Sequence, residues 1–291
     1  MRILVIGGSG LLGSELVRRS LATSHEIVAT YFTRPGEVNG IDWRPLDVRR
    51  RQDVAALIGA SRPEVIINAA ARQADWATAA DGAAHVAVAA AAAGTRLVHV
   101  SSDAIFSGTR IRYDERCVPD PITPYGAAKA AAETAIKAIC PDAVIARTSL
   151  IIGDGRSPHE RLVHALATGQ RQGMLFTDDV RCPVHVADLA AALVELARSA
   201  HTGMHHVAGA DAISRYELGL LIAQRDGLDT SALTCGRRAD TGTPGPLDVR
   251  LDSTATQQRL QTTLRGAQQF LRPGNSPTAP ARARADEEPV T

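Results

Sequence analysis

The sequence contains very little lysine, few aromatic residues and few cysteines. Only two of its 291 residues are lysines. The aromatic residues Phe, Trp and Tyr together make up 3% of the chain, and the four cysteines lie far apart without a C-x-x-C pair. This spacing excludes a zinc ribbon and disfavours a disulfide scaffold. The net charge of +1 gives no indication of binding to nucleic acid or to a membrane surface. The 45% hydrophobic content is typical of a folded globular protein.

Long uninterrupted apolar runs are also missing. The Ala-rich stretch 69–93 is broken by Arg72, Asp75, Asp81 and His85, which excludes a membrane span there. Strand-like residues follow Met1 directly, without an apolar leader segment or cleavage site, so we expect a cytoplasmic protein. The segment 273–291 is rich in Pro, Ala and charge, and we expect it to be a flexible tail.

Short β-branched runs alternate with helical stretches. We predict strands at 2–6, 26–30, 64–68, 96–100 and 143–147, an irregular strand at 41–46, and helices at 11–22, 50–59, 78–93 and 124–139. Near-continuous apolar strands are typical of a parallel sheet buried on both faces, so an α/β fold with a doubly wound parallel sheet is expected. Further along we predict helices at 158–169, 187–198, 214–225, 253–260 and 263–271, strands near 182–186 and 203–208, and a surface loop at 236–246.

Three glycines follow the first predicted strand. Gly7, Gly10 and Gly13 stand between that strand and the first helix, where a tight turn, close approach to a pyrophosphate and close helix packing each require glycine. The free amides of the helix start would face the phosphates. This context favours a dinucleotide site over a merely tight turn. The contacts would come from Gly7, Ser9, Gly10, Leu11, Leu12 and Gly13.

The second strand is not followed by the carboxylate that takes the ribose 2′-hydroxyl of NAD. The chain has Arg34 in this region and no acid before Glu37, which favours NADPH, with NADH still possible and a solvated Arg34 as the alternative. Two further segments suit the same groove. They are Asp47-Val48, for the adenine, and Asn68-Ala69-Ala70-Ala71, for the ribose, although either could simply form a cap or a turn.

Tyr125 and Lys129 form the most specific motif. They lie four residues apart on a predicted helix that Thr123 and Pro124 would start, so phenol and ammonium can converge on one ligand. A cation beside a phenol favours the phenolate and brings it into range for acid–base catalysis. A lysine among thirty arginines suggests that a compact ammonium is needed, one that can also bond ribose hydroxyls. The alternative is an incidental pair on a surface helix.

The fourth apolar strand runs into Ser101-Ser102-Asp103. Parallel strands deliver active-site residues at their carboxyl ends, where the Ser102 hydroxyl could bond a substrate carbonyl. A simple turn is the alternative. Later in the chain, Arg181 and Arg250 are candidates to bind a substrate diphosphate, as opposed to being solvated side chains.

These motifs together resemble an extended short-chain dehydrogenase/reductase. The strings VSSDAIFSG (100–108), PITPYGAAKAAAE (121–133) and RTSLIIG (147–153) are most similar to the dTDP-4-dehydrorhamnose reductase group of nucleotide-sugar reductases. The resemblance runs over about 1–272 and departs from the group at Leu150, at 178–184 and at Gly245. It implies a Rossmann-like dinucleotide-binding domain over 1–150, joined later by about 182–208, and a small C-terminal substrate-binding portion over 151–272.

The resemblance also implies a reaction, the reduction of a keto group on a nucleotide-activated deoxysugar by NAD(P)H. Tyr125 would donate the proton, Lys129 would hold the nicotinamide ribose and tune Tyr125, and Ser102 would orient the carbonyl. Separately from the resemblance, we expect Asp103, Arg181 and Arg250 to contact the substrate. A homodimer is possible.

Two other readings of the resemblance stay open. The protein could be an epimerase or dehydratase that retains NAD, or a non-catalytic NADP-binding regulatory subunit. No metal is expected, because His201, His205 and His206 lack supporting ligands at suitable spacing.

Overall fold

The computed structural model describes residues 1–23, 25–242 and 244–272; the predicted tail 273–291 lies outside them. The strands are β1 (Arg2–Ile6), β2 (Glu26–Tyr31), β3 (Asp42–Pro45), β4 (Val65–Asn68), β5 (Arg96–Ser102), β6 (Arg112–Tyr113), β7 (Val144–Thr148), β8 (Ile151–Ile152), β9 (Leu175–Phe176), β10 (Val180–Arg181), β11 (Val184–His185), β12 (Gly203–His206), β13 (Ile213–Ser214), β14 (Cys235–Gly236) and β15 (Arg250–Leu251). The α-helices are α1 (Leu11–Ala22), α2 (Arg51–Ser61), α3 (Gly82–Ala92), α4 (Pro124–Ile139), α5 (Pro158–Ala167), α6 (Val186–Arg198), α7 (Arg215–Asp226), α8 (Thr254–Gln257) and α9 (Ala267–Phe270).

A central parallel sheet carries the fold. Within the described residues it has seven strands in the order β12-β7-β5-β4-β1-β2-β3. The side chains of Ile3 to Ile6 in β1 are fully buried, because helices cover both faces. Helices α1 and α6 pack on one face and α2, α3 and α4 on the other. The expected doubly wound α/β fold is therefore confirmed.

The later part of the chain forms a separate apolar cluster. Helices α5, α7 and α9 pack around β9, with Leu166, Leu175 and Ile222 among the buried side chains. Helices α5 and α7 each begin with a capping box, in which a serine and a glutamate satisfy one another's backbone amides. Strand β12 nevertheless joins the edge of the central sheet, so the chain returns to the first part before this cluster is complete. The division into domains stays a prediction.

The largest difference from the predicted elements lies at 253–271. The helices expected at 253–260 and 263–271 are each only four residues long, because backbone amides in between bond to side chains instead of continuing a helix. Glu195 accepts from the amides of Gln261 and Thr262, and the Gln257 side chain accepts from Leu264 N–H. Such bonds compete with helical ones.

Two smaller differences concern the predicted helix at 78–93 and the predicted loop at 236–246. The helix opens with a π-helical turn, Ala77–Asp81. The loop region begins at β14, which pairs with β9, and continues as a 3₁₀ turn over Arg238–Thr241. Part of the predicted loop therefore pairs with β9 of the separate apolar cluster, called the second cluster from here on.

Candidate active site

A continuous groove follows the carboxyl edge of the central sheet. One end is a cavity of about 190 Å³ beside β2 and the other a cleft of about 430 Å³ beside β5 and α4. The two share Gly10, Ala69 and Ala71 in their walls. A groove across this edge is the usual place for a dinucleotide in a doubly wound sheet.

The glycine turn shapes the middle of the groove. Gly7 has φ +82°, and a Cβ there would lie 2.8 Å from Ala70 N. A Cβ on Gly13 would lie 2.1 Å from the Gly7 carbonyl oxygen, so α1 can approach the turn only with glycine at this position. Gly10 precedes the helix and has no side chain to cap it, which leaves the first-turn amides available to an anion. The residues predicted for the turn all line the groove.

The smaller cavity contains the residues expected at the adenosine end. Asp47 and Val48 line it, but the Asp47 carboxylate is held by the Arg49 guanidinium at 2.7 and 2.8 Å, which lowers its pKa. Phe32 is half exposed and carries the Arg72 guanidinium 5.2 Å from its ring centroid. Arg72, not the predicted Arg34, lines this cavity. Arg34 is exposed outside it.

Asn68 lies under the floor of the groove and does not line it. It is 2% exposed, and its Oδ1 accepts from Ala70 N–H at 3.2 Å. The sequence predicted a cofactor contact for this residue together with Ala69, Ala70 and Ala71. The three alanines do line the groove.

Tyr125, Lys129 and Ser102 all line the wider cleft. Thr123 caps α4 by accepting from Gly126 N–H at 3.1 Å, so Tyr125 lies in the first helical turn as predicted. Gly126 explains how this turn approaches Ser102. A Cβ on Gly126 would lie 2.0 Å from the Ala104 carbonyl oxygen, in the 3₁₀ turn (Asp103–Ile105) directly after β5.

Burial and neighbouring charges shift the pKa values of Tyr125 and Lys129. Burial, and next the Asp103 carboxylate, raise the pKa of Tyr125, while a hydrogen bond with Ser102 opposes this. The phenol is therefore protonated at neutral pH and available as an acid. Burial lowers the pKa of Lys129 to about 8, and Glu133 opposes this only in part. Glu133 is itself paired with Arg147 at 2.9 Å.

The far wall of the cleft is formed by arginines around one buried carboxylate. Asp179 has no exposed surface and lies 2.9 Å from Arg181, 3.4 Å from Arg215 and 2.6 Å from Arg238. Burial lowers the pKa of His159 to about 4, and its Nδ1 lies 3.1 Å from Arg215 Nη1. The neutral imidazole therefore accepts at Nδ1 and carries a hydrogen on Nε2.

The two arginines that the sequence predicted for substrate have different surroundings. Arg181 lines the cleft, but its guanidinium also donates to three backbone carbonyls, those of Val180, Pro246 and Leu247. Arg250 is paired with Asp248 at 2.7 Å and lines another cavity of about 650 Å³, which shares no residue with the cleft. Arg250 therefore lies outside the candidate active site, contrary to the prediction from the sequence.

Sequence reasoning missed Arg215, Arg238 and His159. Each comes from a different segment, at the start of α7, the 3₁₀ turn after β14 and the start of α5, and no local spacing connects them. Arg238 lies over Phe176 at 5.0 Å, beside an adjoining cavity of about 200 Å³ that Leu162 also lines. Its Nε is buried without a hydrogen-bond partner among the residues described.

In 1–23, 25–242 and 244–272, no group of three or more His, Cys, Asp or Glu side chains is placed to hold a metal ion. Over the same ranges, no helix has the length and apolar character needed to cross a bilayer.

Comparison with known families identifies the chain. The family model described as "RmlD substrate binding domain" matches residues 1–272. The chain belongs to the RmlD substrate-binding-domain family. A relative from Streptomyces antibioticus, "Probable dTDP-4,6-dihydroxy-2-methyloxan-3-one 4-ketoreductase", is 34% identical and covers 75% of each chain. Methionine adenosyltransferase 2 subunit beta of Xenopus laevis is 27% identical, over 88% of this chain and 82% of its own.

Solved structures with the names of dTDP-4-dehydrorhamnose reductases share the fold. A hypothetical dTDP-4-dehydrorhamnose reductase from Sulfolobus tokodaii is 30% identical, with a TM-score of 0.78 over 91% of this chain and 97% of its own. The Bacillus anthracis dTDP-4-dehydrorhamnose reductase in complex with NADP is 24% identical, with a TM-score of 0.77 over 93% of this chain and 96% of its own.

Proposed function

We propose that this RmlD-family protein uses NADPH to reduce a keto group on a nucleotide-activated deoxysugar. The observation that carries the proposal is the placement of Tyr125, Lys129 and Ser102 in one cleft that is continuous with the glycine-turn groove. Two matches at 30% identity or more support the substrate class, because they are named as a probable ketoreductase and a hypothetical reductase of dTDP-linked sugars.

The groove fits a dinucleotide. Gly10 lines the groove, and the uncapped start of α1 offers amides to a pyrophosphate. Arg72 supports NADPH over NADH, because its guanidinium lines the adenosine end, where a 2′-phosphate would need a cation. Lys129 would hold the nicotinamide ribose. Bound NADPH supplies the hydride.

The chain's own residues supply the proton and the orientation. Ser102 is fixed by donating to Asp103 Oδ1 and accepting from Ala104 N–H, both at 3.2 Å, so its hydroxyl lies at the cleft wall. It would orient the substrate carbonyl by donating its one hydrogen to the carbonyl oxygen in place of Asp103. Tyr125, protonated because of its surroundings, would protonate the carbonyl oxygen as hydride reaches the carbon. The Lys129 ammonium would then stabilise the tyrosinate that remains.

The arginine wall supports a substrate that carries a diphosphate. Arg215 and Arg238 keep their guanidinium groups in the cleft wall, while the donors of Arg181 go largely to backbone carbonyls. A Cβ on Gly245, at a departure from the reductase group, would lie 2.5 Å from Arg238 Nη1. Glycine therefore gives Arg238 room, and we assign the diphosphate to Arg215 and Arg238. The cavity beside Phe176 would take the base.

Oxidation of NADPH at 340 nm, with a panel of dTDP-linked 4-keto-6-deoxyhexoses, tests this function. We expect turnover with at least one of them, and a loss of roughly a hundredfold to ten-thousandfold in kcat for Tyr125→Phe, because general acid catalysis contributes about that much. NADPH binding by the variant, measured by fluorescence, should persist. Unchanged turnover in Tyr125→Phe would remove Tyr125 from the reaction.

The two alternative functions predict different results in the same NADPH oxidation assay. An epimerase or dehydratase would retain NAD through purification and show no net oxidation of NADPH. A non-catalytic regulatory subunit would bind NADPH and oxidise it with none of the ketones, and one relative is indeed named as a subunit, of methionine adenosyltransferase 2.

A further inference from the structure

A row of three buried polar side chains runs from the floor of the groove to the cleft. Asn68 ends β4, His99 lies beside it in register on β5, and Lys129 projects from α4. The Asn68 Nδ2 and His99 Nδ1 atoms are 3.2 Å apart, as are His99 Nε2 and Lys129 Nζ. All three residues are at most 2% exposed. Buried polar groups of this kind need compatible donors and acceptors throughout.

The backbone decides which way the Asn68 amide faces. Ala70 N–H donates to Asn68 Oδ1 at 3.2 Å, which leaves the Nδ2 hydrogens directed at His99. His99 Nδ1 must then accept. Burial and the neighbouring Lys129 hold the pKa of His99 well below its usual value, so the ring is neutral. A neutral ring that accepts at Nδ1 carries its hydrogen on Nε2.

That hydrogen points at Lys129. An ammonium has three donors and no acceptor, so only a neutral Lys129 amine can accept from His99 Nε2–H. For an ammonium at the same place, Nε2 must accept and the ring hydrogen must move to Nδ1. Asn68 then has to turn its oxygen toward His99, and Ala70 N–H loses its acceptor. The row therefore has two arrangements, one for each charge of Lys129, and the arrangement with the ammonium leaves Ala70 N–H without its Asn68 acceptor.

We propose that Asn68 and His99 are positioning residues that, with Lys129, change state as one unit: the orientation of the Asn68 amide and the tautomer of His99 decide whether the cleft presents an ammonium or a neutral amine. The catalytic consequence rests on the proposed reductase function, in which the ammonium stabilises the tyrosinate of Tyr125. The linkage within the unit does not rest on it. Because Ala70 lines the groove, the same change alters an amide next to the cofactor site.

The other charged and titratable groups near Lys129 are mostly paired. On α4 they are Tyr125 and Glu133, and Glu133 accepts from Ser101 Oγ on β5 at 2.6 Å and is paired with Arg147 on β7. Asp103, after β5, accepts from Ser149 Oγ at 2.6 Å and lies 3.7 Å from Arg181. The π-helical turn and α3, on the other side of α4, present alanines such as Ala79 and Ala80. His99 is thus the one uncharged titratable ring that contacts Nζ among the residues described.

Nuclear magnetic resonance can follow the unit directly, because the chain has only two lysines. With lysine labelled at ¹³Cε, the free protein should give two signals. The Lys129 signal should have a midpoint near pH 8, and Lys137, exposed later on α4, serves as the internal reference. In ¹⁵N spectra of the histidines, with His99 assigned by its loss in His99→Gln, the ring hydrogen should move from Nδ1 to Nε2 as pH rises through the Lys129 midpoint. A His99 tautomer that is unchanged across that midpoint overturns the proposal.

Asn68→Asp is the matched variant. Its carboxylate can accept from both Ala70 N–H and His99 Nδ1–H, so His99 should keep its hydrogen on Nδ1 at every pH. The Lys129 midpoint should rise by roughly one unit or more, and the alkaline limb of kcat/KM for NADPH should move with it. If the midpoint rises while the His99 tautomer still changes, the carboxylate acts by charge alone and the linkage fails.

The spectra need neither substrate nor turnover. A protein that reduces none of the ketones therefore refutes the proposed function without affecting the test of the linked unit. Conversely, a fixed His99 tautomer in an active reductase refutes only the linked unit.

Discussion

At the residue scale, the buried charged side chains in and around the cleft form ion pairs with one another. Asp179 joins three arginines and Glu133 neutralises the buried Arg147, so burial leaves few of these charges unpaired. Pairing is what makes such burial tolerable. Arg238 and Lys129 both line the cleft, so we expect their substitution to affect ligand binding.

Arg238→Gln should weaken substrate binding while chemistry continues. Removing a charge-assisted hydrogen bond to a phosphate costs about 1.5–3 kcal/mol, so KM for the nucleotide-sugar should rise roughly tenfold to a hundredfold with a small change in kcat. Arg250→Gln is the control, because Arg250 lies in the other cavity. Equal changes in both variants would show that the diphosphate is not bound at Arg238.

Arg72→Gln should lower the preference for NADPH over NADH. The guanidinium lines the adenosine end and would pair with a 2′-phosphate that NADH lacks. Because Arg72 is exposed, we expect a modest effect, roughly tenfold in the ratio of kcat/KM for the two cofactors. Arg34→Gln, outside the cavity, should leave the ratio unchanged. The reverse result would restore the assignment that the sequence favoured.

The sequence revealed only part of this site. Tyr125 and Lys129 were predictable because four residues along one helix bring them to one face, and the glycine turn because its spacing is local. Arg238 and His159 could not be predicted, because only the tertiary fold brings their segments together. With thirty arginines in the chain, the sequence also does not distinguish the arginines of the cleft from solvated ones. Arg250 looked equivalent in sequence, yet Asp248 holds it in another cavity.

At the element scale, the position of α4 against the turn after β5 determines the site. Gly126 permits this contact, since a Cβ would lie 2.0 Å from Ala104 O. The same interface brings Tyr125 to Ser102. Stability and catalysis therefore depend on one close approach between backbones.

Gly126→Ala should lower both stability and activity. Overpacking costs about 1–3 kcal/mol, and it outweighs the gain of roughly 1 kcal/mol in helix propensity. Gly59→Ala on α2 is the control, because nothing lies within 4 Å of its Cβ, and it should stabilise by up to about 1 kcal/mol. Urea unfolding of both variants measures this. A Gly126→Ala protein as stable and active as the wild type would show that the contact relaxes freely.

The elements of the first half were predictable for a physical reason. Strands such as β1 and β4 lie between two helix layers, so their apolar runs are continuous and stand out. The elements at 253–271 depend instead on tertiary bonds. Their amides bond to Glu195 and Gln257, and no local pattern shows that these partners are near.

At the scale of the whole molecule, cofactor and substrate are expected to bind different parts of the chain. The glycine-turn groove belongs to the central sheet, while Arg215 and Phe176 belong to the second cluster and its surroundings. A ligand that binds only the folded protein stabilises it by RT ln(1 + [L]/Kd), where [L] is the free ligand concentration. If cofactor and substrate bind at separate sites, each should add its own contribution to the free energy of unfolding.

NADPH and thymidine diphosphate should each raise the melting temperature, and their effects should add. At a hundred times its Kd, either ligand contributes about 2.7 kcal/mol, which is a shift of a few degrees. Arg238→Gln should reduce only the shift from thymidine diphosphate. If the variant loses both shifts equally, the two sites are not independent.

The most direct measurement of the central claim is hydride transfer itself. The protein is incubated with [4-²H]NADPH, labelled on either face, and a dTDP-linked 4-keto-6-deoxyhexose, and the sugar product is analysed by mass spectrometry. The wild type should place one deuterium on the former carbonyl carbon from one of the two labelled faces, and Tyr125→Phe should bind NADPH but transfer almost none. A wild type that transfers no label to any sugar of the panel, or a Tyr125→Phe that transfers it equally well, would contradict the account.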